Sequence, residues 1–212
     1  MSVWNARMLN AYDRWRFARL CARHAQQLDV GIGASPYLHL AHLRIEPGAH
    51  VRIGDGFYTE RRRGNQIWVQ TNASLALGAS AWLRTEYGAN YITVFPEARI
   101  EVGPGALLNG AMLHAKRAIA IGSDLRLAFG ARILDADLHD LDCETPERVA
   151  PVRIGDSVWI GANAIVLRGV QIGDDVVVGA GSVVSRDLPP RCVAVGAPAR
   201  PVRKLASREG CR

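Results

Sequence analysis

Residues 154–184 read IGDSVWIGANAIVLRGVQIGDDVVVGAGSVV, and the spacing of their aliphatic residues decides the fold. Ile154, Ile160, Val166, Ile172, Val178 and Val184 follow one another at intervals of six without a slip. Four residues after each come Val158, Ala164, Val170, Val176, Ser182 and Leu188, all small or aliphatic, and Gly155, Gly161, Gly173 and Gly179 follow four of the six directly. A helix would repeat every 3.6 residues and a flat strand every two, so a period of six fits neither. It fits a short strand followed by a corner. Three such sides close a triangular coil of about eighteen residues, with the aliphatic residue pointing inward onto its counterpart in the next coil. Glycine after the aliphatic residue tolerates the corner backbone that a Cβ would resist.

The pattern recurs upstream less regularly. VRIGDG at 51, LALGAS at 75, IEVGPG at 100 and IAIGSD at 119 resemble VRIGDS at 152 and VQIGDD at 170. Their aligned core residues, Ile53, Leu77, Val102, Ile121, Ile154 and Ile172, are separated by 24, 25, 19, 33 and 18 residues. Each gap is one coil plus an insertion, and the largest insertion holds DADLHDLDCETPERVAP. His139 is thereby expected on a loop pushed out of a rigid prism, where functional groups concentrate. An unpaired coil end needs a cover. Trp4, Met8, Ala11, Trp15, Ala18 and Ala22 recur at helical spacing, which predicts an amphipathic helix over 3–28 with Arg7, Arg14, Arg19 and Arg23 on its polar face. The expected organisation is a helical cap over 1–30, a β-helix over 31–190 with its loop at 134–151, and a basic C-terminal segment over 191–212 whose prolines end the coils.

Composition bounds the function. The 212 residues suit one soluble domain and contain no apolar run long enough to span a bilayer. The arginine-threaded N-terminus does not read as a signal peptide, so a cytoplasmic protein is expected. Cys21, Cys143, Cys192 and Cys211 are scattered and read as free thiols, with no metal site. A net charge of +6 suits an anionic partner.

The stretch 152–205 closely resembles the hexapeptide-repeat acyltransferases, most of all the galactoside, maltose and glycan O-acetyltransferases, and the likeness continues more loosely over Ile100 to His139. The resemblance implies an all-β left-handed parallel β-helix, assembled as a homotrimer with active sites between subunits. It implies acetyl-CoA as the acyl donor and a small-molecule or glycan acceptor. His139 matches the general base of that family, and Asn109, in ALLNGAML, matches an asparagine near acceptor and thioester, although an asparagine inside a β-helix also stabilises turns. Imidazole is largely neutral yet basic near neutral pH, which suits abstraction of a hydroxyl proton during direct transfer. Asp135, Asp137, Asp140 or Asp142 could hold its other nitrogen, with Asp137 preferred. By the same match Trp159, Gly161, Ala162 and Ala180 line the donor groove, and Ser185, Arg186, Arg200, Arg203 and Lys204 meet the phosphates. Arginine suits that task through its bidentate fork.

Other readings use the same residues. An N-acetyltransferase of a nucleotide-linked amino sugar would need the same base and donor. A metal-dependent carbonic anhydrase of this fold needs close histidines, whereas His114 and His139 lie 25 residues apart. A non-catalytic scaffold, or a nucleic-acid or membrane-surface binder, would use Arg61–Arg63 and the basic helix, but aromatics are not interleaved with those charges as stacking on nucleic acid requires. No nucleic-acid partner is therefore expected.

Overall fold

The structure, a computed structural model, describes residues 11–61, 64–140 and 142–206. Trp4, Arg7, Met8, Arg62, Arg63 and Cys211 lie outside them. The chain winds as a left-handed parallel β-helix with three flat faces. In each coil the chain runs along a first face, turns a first corner to a second face, and turns a second corner to a third face. A third corner brings it back to the first face. Among the described residues the faces hold seven, eight and seven strands, and all pairings but the last on the second face are parallel.

The aliphatic register is the one the repeat demands. On the first face Val30, Ile53, Leu77, Val102, Ile121, Ile154 and Ile172 pair successively from coil to coil. Ile160, Val166, Val178 and Val184 are likewise buried, as are Val158, Ala164, Val170, Val176, Ser182 and Leu188 at the corners. Buried and more exposed residues alternate along most strands, as in His50–Ile53, Gln66–Val69 and Arg99–Val102. A one-residue slip would turn a whole strand's core outward, so register is strongly specified. Gly161 shows why a corner position stays small: a Cβ there would lie 2.6 Å from the Ala180 amide nitrogen of the next coil.

The N-terminal helix spans Ala11–Arg23, and the chain already joins the first face at Leu28–Val30. Its buried side differs from the expected one. Ala11, Trp15, Ala18 and Ala22 are exposed, while Asp13, Phe17, Leu20, Cys21 and His24 turn toward the protein. Two stripes at helical spacing compete in this sequence. The inward one prevails because Phe17 and Leu20 pack on the core and Asp13 meets His39 Nε2 at 3.4 Å and Arg61 Nε at 3.5 Å. At the opposite end Ala199–Lys204 folds back antiparallel on Cys192–Gly196 and closes the second face.

Inside the second corner, buried Thr59, Asn65 and Asn90 form a ladder. Asn90 Nδ2 donates to Asn65 Oδ1 at 2.8 Å, and Asn65 Nδ2 donates to Thr59 Oγ1 at 2.9 Å. The upstream insertions therefore widen one corner in two adjacent coils and leave the prism continuous.

Candidate functional site

The loop between Leu134 and Val152 leaves the third corner, and its acids build it. Asp135 is fully buried, with Oδ1 accepting from the Lys116 amide and Oδ2 from the Arg117 and Ala118 amides, each at 2.7 Å. Burial raises the pKa of this carboxyl against the opposing pull of those three donors. Asp140 Oδ1 accepts from the Glu147 amide at 2.6 Å, and Asp142 Oδ1 accepts from the amides of Glu144 and Thr145. Glu147 in turn accepts from the Leu138 amide at 2.8 Å and from Lys116 Nζ at 2.7 Å. Asp137 is latched by two guanidinium groups, with Nε of Arg168 at 2.6 Å and Nε of Arg148 at 3.2 Å. The Arg168 hydrogen bond, joined by that of Arg148, holds its carboxyl below the ordinary range.

His139 stands exposed at the tip of this stapled loop, directly after Leu138. Leu138 has φ of +73°. A branched residue in the left-handed region is strained by about 1–2 kcal/mol and persists only where its surroundings over-determine it. Its amide is fixed by Glu147, which holds the backbone in that conformation just before His139.

The remaining candidates lie elsewhere on the protomer. Trp159 points out from the second face and is 53 % exposed, in register with Arg126 below and Val177 above. Asn109 ends the second-face strand Leu107–Asn109, and Gly161, Ala162 and Ala180 follow at the second corner. Asn109 takes no part in the asparagine ladder. Its Oδ1 is buried without a hydrogen-bond partner among the described residues. Buried acceptors are rarely left so, and such an atom marks a place where water, an ion or a ligand can pair with it. Arg200, Arg203 and Lys204 are exposed on the closing strand of the second face. Ser185 and Arg186 are exposed just after the third-face strand Val183–Val184, at the third corner with His139.

Geometry thus divides the candidates in two. His139, Asp137, Ser185 and Arg186 share the third corner; Asn109, Trp159, Gly161, Ala162, Ala180 and the basic strand share the second face and second corner. In a triangular prism the third corner lies opposite the second face, so one copy does not bring the two groups together. Below Asn109 the second face opens into a hollow of about 690 Å³ lined by Tyr37, Tyr58, Glu60, Arg61, Trp82, Arg84 and Glu86. Tyr58 meets Trp82 edge-on at 5.4 Å, and Arg84 pairs with Glu86. Sequence reasoning missed the latch residues Arg148, Arg168 and Glu147, which carry no motif and are assembled only by the loop.

The model of the family described as "Bacterial transferase hexapeptide (six repeats)" matches residues 151–186. Nodulation protein L of Rhizobium meliloti is 38% identical over 131 residues, covering 58% of this chain and 67% of that protein. The chain belongs to the hexapeptide-repeat transferase family. Galactoside O-acetyltransferase of Escherichia coli is 26% identical over 147 residues, covering 69% of this hexapeptide transferase and 64% of the relative. A Schizosaccharomyces pombe relative, 44% identical over 91 residues, is spanned over 44% of its length. Among solved structures, the N-acyltransferase AntD of Bacillus cereus, in complex with dTDP and coenzyme A, aligns with a TM-score of 0.54 at 16% identity, over 75% of this chain and 85% of AntD. That likeness is one of fold.

Proposed function

We propose that this hexapeptide transferase is an acyl-CoA-dependent O-acetyltransferase acting on a sugar or glycan hydroxyl, as a homotrimer with its sites between copies. The observation that carries the reading is the separation just described. A base held stiffly outward from the third corner has an orphaned amide and an exposed tryptophan as counterparts only on the second face of another copy. The galactoside O-acetyltransferase relative favours a hydroxyl acceptor.

In this reading the phosphates of the donor lie on Arg200, Arg203 and Lys204, joined by Ser185 and Arg186 of an adjoining copy. The pantetheine arm runs along Gly161, Ala162 and Ala180, past Trp159. His139 Nε2 or Nδ1 accepts the acceptor hydroxyl proton as that oxygen attacks the thioester carbonyl. The C–S bond then breaks, and the imidazolium returns the proton to the departing thiolate. A preorganised backbone N–H at the second corner stabilises the oxyanion, while Asn109 orients acceptor and thioester. Asp137 already accepts from two arginines, so it positions His139 through the loop. The acceptor fits the hollow below Asn109, where aromatic rings and paired carboxylates suit the apolar faces and hydroxyls of a pyranose.

Thiol release from acetyl-CoA, measured against a panel of sugars, glycans and nucleotide-linked amino sugars, tests the reading. Wild type should turn over with at least one hydroxyl acceptor, and His139→Ala should lower kcat by about 10²–10⁴-fold with acetyl-CoA binding unchanged. A wild-type protein inert toward every acceptor, or a fully active His139→Ala, would overturn it.

A further inference from the structure

The second corner carries a column of small residues that one ring interrupts. Leu127, Ile160 and Val178 pair in register, so the residues two places on, Phe129, Ala162 and Ala180, occupy equivalent positions in three successive coils. Alanine stands at two of them and phenylalanine at the lowest. Phe129 is 45 % exposed, and its ring turns away from the alanines toward the N-terminal coils, lying across Gly110 and Gly88. A Cβ at Gly110 would come within 2.7 Å of Phe129 Cδ2, and one at Gly88 within 2.8 Å of Cε2. Two glycines therefore make the bed of this ring. Asn109, with its orphaned Oδ1, directly precedes Gly110.

Charge orients whatever lies in this column. The cations are at its upper end, on the closing strand, so an anionic head sits there and its tail runs down past Ala180 and Ala162. Two coil spacings, about 10 Å, separate the levels of Ala180 and Phe129. The tail then meets a hydrophobic wall.

We infer that Phe129 is the floor of the donor groove and restricts the transferred group to a short acyl chain. The inference rests on the acyl-CoA reading above. With the ring gone, the bare backbone of Gly110 and Gly88 continues the groove by two further coils, and a longer chain lies where the ring lay. Phe129 is thus a specificity-determining residue whose removal leaves the base, the phosphate cations and the alanine walls in place.

Calorimetric titration with coenzyme A, acetyl-CoA and hexanoyl-CoA tests this without knowledge of the acceptor. Wild type should bind the first two with similar affinity and hexanoyl-CoA at least about tenfold more weakly, as expected when a pocket must reject added methylenes. Phe129→Ala should bring hexanoyl-CoA to the affinity of acetyl-CoA while leaving acetyl-CoA unchanged, and Gly88→Ala added to it should partly restore discrimination by refilling the channel. Phe129→Leu, a milder truncation that keeps an apolar side chain, should be intermediate and decides the matter if the alanine variant fails to fold. Unchanged discrimination in folded variants would overturn the floor while leaving the donor reading standing. A wild-type protein that binds none of the three ligands would overturn the donor reading and the floor with it.

Discussion

At the scale of single residues, the acidic run around His139 is structural in most of its members. Asp135 shows this best, because its two oxygens accept from three consecutive backbone amides at the point where the loop leaves the prism. Removing a buried acceptor strands its donors, each at a cost of about 1–3 kcal/mol. Asp135→Ala should therefore lower stability by about 3–5 kcal/mol, seen as a fall in Tm of roughly 6–20 °C for a domain of this size. Asp135→Asn, which keeps the shape and one carbonyl oxygen, should lose less. Equal melting temperatures for Asp135→Ala and wild type would show that the loop is anchored elsewhere.

At the scale of the element, the loop is a short antiparallel excursion, bridged between Ala136 and Val149 and latched by Asp137 to Arg148 and Arg168. Arg168→Ala should loosen the latch and reduce kcat about 10–100-fold, since small misplacement of a catalytic group is costly. A Tm change below about 3 °C would separate this from global unfolding, because the prism core is untouched. The sign of the pH dependence follows from Asp137. Its folded pKa lies below the ordinary carboxylate value, so the latch is fully present above that value and is lost as pH falls through the lowered one. The difference in loop protection between wild type and Arg168→Ala, read by hydrogen exchange, should be constant at neutral pH and vanish in acid. A difference that persists at low pH would remove Asp137 from the latch.

At the scale of the whole molecule, the prism puts His139, at the third corner, on the side opposite Trp159 and the basic closing strand of the second face. If active sites form between copies, two inactive variants should complement. Co-assembly of His139→Ala with a groove variant such as Trp159→Ala/Arg203→Ala gives intact sites wherever one chain supplies the base and the other the groove. For random closed assembly this is about one quarter of sites. Mixed oligomers regaining about a quarter of wild-type activity would support that arrangement, and mixtures no better than either variant alone would refute it.

Much of the architecture was legible in the amino-acid order because a β-helix is quasi-one-dimensional: each coil touches only its neighbours, so a local period of six specifies the whole core. The aligned residues from Ile53 to Ile172 stack as the spacing required. The outward loop at His139 was legible for the same reason, as an interruption of that period. The helix face was not, since two stripes have helical spacing and only contact with the first coil selects between them. Nor was the exclusion of Asn109 from the ladder, because an asparagine in a coil reads alike whether or not it joins one. Sequence alone determined the coil, its register and the place of the loop, for those depend on neighbours a fixed number of residues apart. Tertiary structure decided which acids staple the loop, where Phe129 lies on its two glycines, and that His139 stands opposite the second face. Those relations join residues at no regular separation, and only the wound chain brings them together.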